Sequence, residues 1–95
     1  MGERELPPTY KVERSEDFIQ QFYELRKIYS RANDLIEGID WALSRQPHKF
    51  TKVAGDFYLW VTENIANPEI PKLKILYRIF EEGYRVFLLA IEDDI

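Results

Sequence analysis

Lys74 and Arg78 lie four residues apart in the run LKILYRIFEEGYRVFLLAI, residues 73–91. In an extended strand that spacing puts both side chains on one face. Two neighbouring cations can hold a phosphate or a carboxylate, or stabilise negative charge that develops during a reaction. Leu76 and Phe80 share their parity, so the same face also offers apolar surface for a partner to cover. A second basic group, Arg45, Lys49 and Lys52, includes His48 and has no acid between Ser44 and Gly55. Each group also has a plainer reading. Lys74 and Arg78 suit a solvent-facing strand that must resist aggregation, and the second group suits a loop of solvated cations.

Other chemistries are excluded by what the chain lacks. With no cysteine and one histidine, neither a thiolate site nor a multi-histidine site can be built, so no metal or cofactor is expected. The net charge is −4, against the basic footprint usual for a nucleic-acid binder. The acidic excess is confined to the second part: residues 1–53 hold nine cations and nine acids, residues 54–95 four and eight. No apolar run approaches the roughly 20 residues that span a bilayer. The N-terminal stretch is charged and proline-containing, unlike a secretory signal. These features read as a cytoplasmic protein with no membrane partner. The expected organisation is a flexible lead-in over residues 1–9 and a single domain over 10–95.

The elements that must position the candidate residues follow from periodicity. Tyr10 and Val12 alternate with Lys11 and Glu13, a short half-buried strand. Ser15 is placed to cap a helix over 16–28, with Glu16 and Asp17 complementing its positive end. Phe18, Phe22, Leu25 and Tyr29 form its apolar stripe. Ala32, Leu35, Ile36, Ile39, Ala42 and Leu43 form the stripe of a second helix that ends before Pro47. Gly38 within it costs about 1 kcal/mol relative to alanine, which suggests close packing there. The short link makes an antiparallel αα-hairpin. Residues 56–63 alternate as a strand, in which Tyr58 and Trp60, like Trp41 on the second helix, read as a stacking surface or as core and interface. Pro68 and Pro71 make 64–71 a loop. The fold expected is α+β, with the αα-hairpin packed on a mostly antiparallel four-stranded sheet in the order β-α-α-β-β-β.

The last hairpin leaves one question open. A three-residue loop, Glu81-Glu82-Gly83, pairs Phe80 with Tyr84 and puts Arg85, Phe87, Leu89 and Ile91 on the core face. A two-residue loop flips the second strand and sends Arg85 outward beside Lys74 and Arg78. Under either register Lys74 and Arg78 share the face away from the helices.

The strand with YKVE, the αα-hairpin ending in Ala42-Leu43 with Pro47 four residues on, and the C-terminal hairpin together resemble the RelE/ParE superfamily of bacterial toxins over about residues 10–91. The most specific part is KILYRI, residues 74–79, similar to the family's strand of Arg, two hydrophobics, Tyr, Arg or Glu, and a hydrophobic. The resemblance implies a component of a bacterial type II toxin–antitoxin system with a cognate antitoxin as partner. Its relatives either cleave mRNA in the ribosomal A site without a metal or poison DNA gyrase. On that basis Lys52, Lys74 and Arg78 are the catalytic candidates, and Arg45, Lys49, Lys52, Lys74, Leu76, Arg78 and Phe80 the RNA- or partner-binding ones.

Three departures qualify the implied activity. Lys74 stands where the family often has Arg, and a lysine lacks the bidentate fork that recognises phosphate. Glu92-Asp93-Asp94 follows the last strand where active nucleases carry basic or aromatic residues. The chain is also acidic where family toxins tend to be basic. The resemblance therefore includes a degenerate toxin, and a non-catalytic binding or homodimerising module on the same fold.

Overall fold

The computed structural model describes residues 9–62 and 72–93, in the order β1 (Lys11–Arg14), α1 (Glu16–Ile28), α2 (Ala32–Arg45), a 3-10 turn (Pro47–Lys49), β2 (Thr51–Ala54), β3 (Phe57–Val61), β4 (Leu73–Phe80) and β5 (Arg85–Asp93). The lead-in and the loop 64–71 lie outside the described residues, apart from Thr9. One five-stranded sheet runs β1-β5-β4-β3-β2, with β1 parallel to β5 and every other pair antiparallel.

The α+β architecture is as expected, with one strand more than the four read from the sequence. The addition is β2, all four of whose residues are exposed. It pairs only with β3, across Gly55-Asp56 with Gly55 at φ +52°, and a register shift falls between Lys52 and Ala54. An edge strand held by backbone bonds alone has no apolar alternation to reveal it. Lys52 therefore sits on a strand and not in a loop.

Both helices cover the same face of the sheet. Ser15 caps α1 by accepting from the Phe18 N–H at 3.0 Å. Phe18 and Leu25 from α1, and Ile36, Ile39 and Leu43 from α2, join one core with Leu73, Ile75, Tyr77 and Ile79 of β4 and Val86, Leu88 and Ile91 of β5. Alternate residues of β4 are thus fully buried, as its pattern required. Gly38 has a different explanation from the expected one. A Cβ there would meet nothing within 4 Å, so close packing is not its reason.

The final hairpin takes the register of the shorter loop: Phe80 pairs with Arg85, and the Tyr84 N–H donates to the Glu81 carbonyl at 3.1 Å around Glu82-Gly83. Gly83 has φ +86° and Tyr84 φ +51°. In this register Arg85 goes outward. The pairing then slips, with Tyr77 opposite Leu88 but Leu76 opposite Ala90, which leaves Leu89 as the extra residue of a bulge. The bulge moves the inward set from Val86 and Leu88 to Ile91, which no uninterrupted register would do.

Tyr77 links the sheet to the segment after α2. Its ring stacks on Tyr58 at 5.6 Å, and its hydroxyl donates to the Pro47 carbonyl at 2.5 Å. Burial pushes its phenol pKa up, keeping it a neutral donor. Tyr77→Phe should lower stability by about 1–2 kcal/mol, the cost of leaving a buried carbonyl without its donor. Phe18→Ala should cost about 3–5 kcal/mol. Urea denaturation of the two variants checks both, and a Tyr77→Phe midpoint equal to wild type would show that bond to be immaterial.

Candidate functional site

The sheet register assembles a second face, opposite the helices. Phe57 of β3 lies beside Arg78 and then Phe87, Leu59 beside Leu76 and then Ala90, and Val61 beside Lys74 and then Glu92. Phe80 and Arg85 extend the face at the turn end, and Lys11 and Glu13 of β1 flank Arg85 and Phe87. Phe57, Leu59, Leu76, Phe80, Phe87 and Ala90 are each half-buried, an apolar strip that no described helix covers. Lys74, Leu76, Arg78 and Phe80 are brought together on it, as alternation in β4 dictates.

The cations on this face are already engaged. Arg78 lies 4.6 Å from the Phe80 ring centre and 5.3 Å from that of Phe57, and its Nη2 is 3.5 Å from Asp56. Arg85 lies over Phe80 at 5.1 Å, and its Nη1 is 3.6 Å from Glu13. Lys74 Nζ is 3.4 Å from Glu92, and Lys11 Nζ 3.9 Å from Glu13. Half-exposed pairs of this kind contribute little to stability. They do lower the positive potential that an incoming phosphate would feel.

The other candidates stand elsewhere. Lys52 pairs with Tyr58, which pairs with Tyr77, so it belongs to the helix-bearing side of the sheet, at the free edge. Arg45 ends α2 and Lys49 ends the 3-10 turn. Lys52 is thus on the opposite side from Lys74 and Arg78, and the structure does not gather the three catalytic candidates. Of the aromatics, Tyr58 is stacked on Tyr77, and Trp60 on Phe50 with ring centres 4.2 Å apart. Trp41 is 62% exposed.

Sequence reasoning missed the contacts of Glu81. Tyr10 donates its hydroxyl to this carboxylate at 3.0 Å, and His48 Nε2 approaches the other oxygen at 2.5 Å. The His48 ring meets Tyr10 and Tyr58 edge-on, each at 5.9 Å. Nothing in a turn sequence signals this, because the partners are separated by 71 and 33 residues. Among the described residues no group of three or more His, Asp or Glu side chains could hold a metal, and no helix is long and apolar enough to cross a membrane.

The hydrogen bond from His48, helped by that from Tyr10, holds the Glu81 carboxyl below its usual pKa despite the opposing effect of desolvation. Ionised Glu81 therefore favours the folded state above the ordinary carboxylate pKa. That contribution fades as pH falls from there through the lowered value. Glu81→Gln should destabilise by less than about 1 kcal/mol at neutral pH, because the site is exposed. The difference should vanish in acid, as denaturant midpoints at the two pH values will show. A gap that persists in acid would rule out ionisation as its source.

No protein-family model matches the chain, and no curated protein is significantly similar to it in sequence. Solved structures are similar to it in fold. A chain of the toxin–antitoxin complex RelBE2 from Mycobacterium tuberculosis superposes with a TM-score of 0.69 at 19% identity, covering 90% of this chain and 98% of that one. A mutant of the E. coli toxin RelE in the free state gives 0.61 at 17% identity, covering 90% and 83%. A chain of the intact E. coli RelBE toxin–antitoxin complex gives 0.61 at 16% identity, covering 90% and 98%. Two helices on one face of a β1-β5-β4-β3-β2 sheet are a RelE-like fold.

Proposed function

We propose that this chain is the toxin-like component of a bacterial toxin–antitoxin pair, and that its uncovered sheet face binds the antitoxin. The observation that carries this reading is the apolar strip of Phe57, Leu59, Leu76, Phe80 and Phe87, rimmed by cations that already have carboxylate partners. Such a surface suits an apolar segment of a protein, whose burial is favourable at about 25 cal/mol per Å². It suits a phosphodiester less, since Asp56, Glu13 and Glu92 would repel one. Two of the structural neighbours are toxin–antitoxin complexes, which supports a protein partner in kind.

Cleavage of ribosome-bound mRNA is the second reading, favoured by the pairing of Lys74 and Arg78 on one face. It requires phosphate to displace Glu92 and Asp56 from those cations. Inhibition of gyrase, or homodimerisation through the strip, would use the same face.

Two experiments separate these readings. The chain is produced with an affinity tag alongside each small protein encoded beside its gene. We expect one of these to co-purify, and Leu76→Asn with Phe80→Asn to abolish the complex. If no neighbour co-purifies and the chain is a stable dimer lost in the same variant, the dimerisation reading replaces ours. Controlled expression without the partner should slow growth. Relief of that arrest by Lys74→Ala, together with cleaved messenger, would establish the nuclease, and an unaffected growth rate would remove the toxin role.

A further inference from the structure

Helix α2 carries two stripes. Ala32, Ile36, Ile39 and Leu43 are buried. Arg31, Asp34, Gly38, Trp41 and Arg45 recur at intervals of three and four on another side, and all five are exposed. Residues at that spacing form a single seam along which a second helix can lie. The middle of the seam is apolar: Leu35, Ile39, Ala42 and Trp60 line a groove of about 530 Å³ beside Gly38, between α2 and β3. A Cβ at Gly38 would meet nothing within 4 Å, so packing inside the chain does not account for a residue that weakens a helix. Three residues on, the indole of Trp41 is a large apolar surface without cover, with the Arg45 guanidinium 4.7 Å from its ring centre. The ends of the seam are charged. Asp34 stands 3.5 Å from Arg31 at one end, with its side chain 69% exposed. Arg45 stands at the other and, among the described residues, has no acid within 4 Å.

We propose that this side of α2 is a docking surface for a second copy of the chain, whose own α2 lies on it antiparallel. In the register that sets Gly38 against the partner's Trp41, Asp34 falls against the partner's Arg45, because the two pairs share one midpoint along the helix. The two-fold axis through that midpoint repeats each contact. The indole fills the groove beside Gly38, and opposite charges meet at both rims, an apolar centre with a polar edge. A parallel arrangement would set Asp34 against Asp34 and Arg45 against Arg45. An unrelated partner need not carry a cation and an acid at matching distances from an aromatic side chain, whereas a second copy must. Tryptophan and arginine are also the residues that most often dominate an interface. One helix of 14 residues laid on another is a small contact, below about 1,200 Å² in total, so the dimer is weak. The uncovered sheet face takes no part in it.

The test is sedimentation equilibrium of the full chain from micromolar to millimolar concentration, which should show monomer and dimer in exchange. Trp41→Ala should weaken the dimer by about thirtyfold or more. Gly38→Leu should abolish it and leave the fold intact, since the position of its Cβ is open. Thermal melting confirms that the variants fold. Asp34→Arg and Arg45→Asp should each be monomeric, because each brings like charges together at both rims. Mixed in equal amounts, these two variants should form a heterodimer in which both pairs are again opposite in sign. The proposal is overturned by a chain that stays monomeric throughout, by a Trp41→Ala dimer as tight as wild type, or by a mixture that does not associate. Leu76→Asn should leave the dimer intact, and its loss there would assign the contact to the sheet face and overturn the proposal. None of these measurements reads antitoxin capture or growth, so failure of the toxin-like reading leaves their outcomes unchanged.

Discussion

The bulge at Leu89 and its attachment to α1 set the geometry on which both faces of the sheet depend. An extra residue in β5 leaves backbone groups out of the ladder, and these must find partners elsewhere. Ser15 meets β5 at this point twice, its N–H continuing the parallel ladder to the Leu88 carbonyl at 2.9 Å and its hydroxyl donating to the carbonyl of Leu89, the extra residue, at 3.1 Å. Beyond the end of β1 the Gln21 side chain takes over, accepting from the Ile91 N–H at 2.9 Å. The same serine caps α1. One residue therefore joins the helix start to the irregular point of the strand it packs on. The change of parity beyond the bulge buries Ile91 and leaves Ala90 and Glu92 outward, where Glu92 meets Lys74.

That meeting decides the electrostatics of the uncovered face. Three strands and β1 contribute its charges, and each cation has an acid from a neighbouring element: Asp56 before β3, Glu13 on β1, Glu92 on β5. Guanidinium groups over Phe57 and Phe80 cover aromatic surface, so the arginines act partly as packing groups. The face is apolar at its centre and nearly neutral in local charge. Among the described residues Arg45, Lys49 and Lys52, which have no acid within 4 Å, lie away from it, where α2 ends and the chain turns into β2.

A single polar cluster ties this corner to the rest. Glu81, in the turn between β4 and β5, takes hydrogen bonds from Tyr10 ahead of β1 and from His48 in the 3-10 turn, while Tyr77 holds Pro47 from beneath. These contacts join the hairpin turn, the first strand and the segment after α2. They hold the 3-10 turn that carries Lys49, and through it the approach to β2.

Much of the core was legible from order along the chain. The bounds of α1, its Ser15 cap, the stripe of α2 and the alternation of β4 all follow from local chemistry. A buried face imposes a period, and the period can be read without coordinates. The co-facial placement of Lys74, Leu76, Arg78 and Phe80 is legible for the same reason. β2 was not, because an exposed edge strand leaves no apolar pattern, and its absence from the sequence reading made Lys52 look like a loop residue. The bulge was not, because Leu88, Leu89 and Ala90 are all apolar and any of them suits either face. The ion pairs of Lys74, Arg78 and Arg85 join residues on different strands, so their charge state is a property of the register. The alternation of residues by itself determined which side chains face together; only the tertiary structure decided which charges meet, because that depends on strands brought side by side from distant parts of the chain.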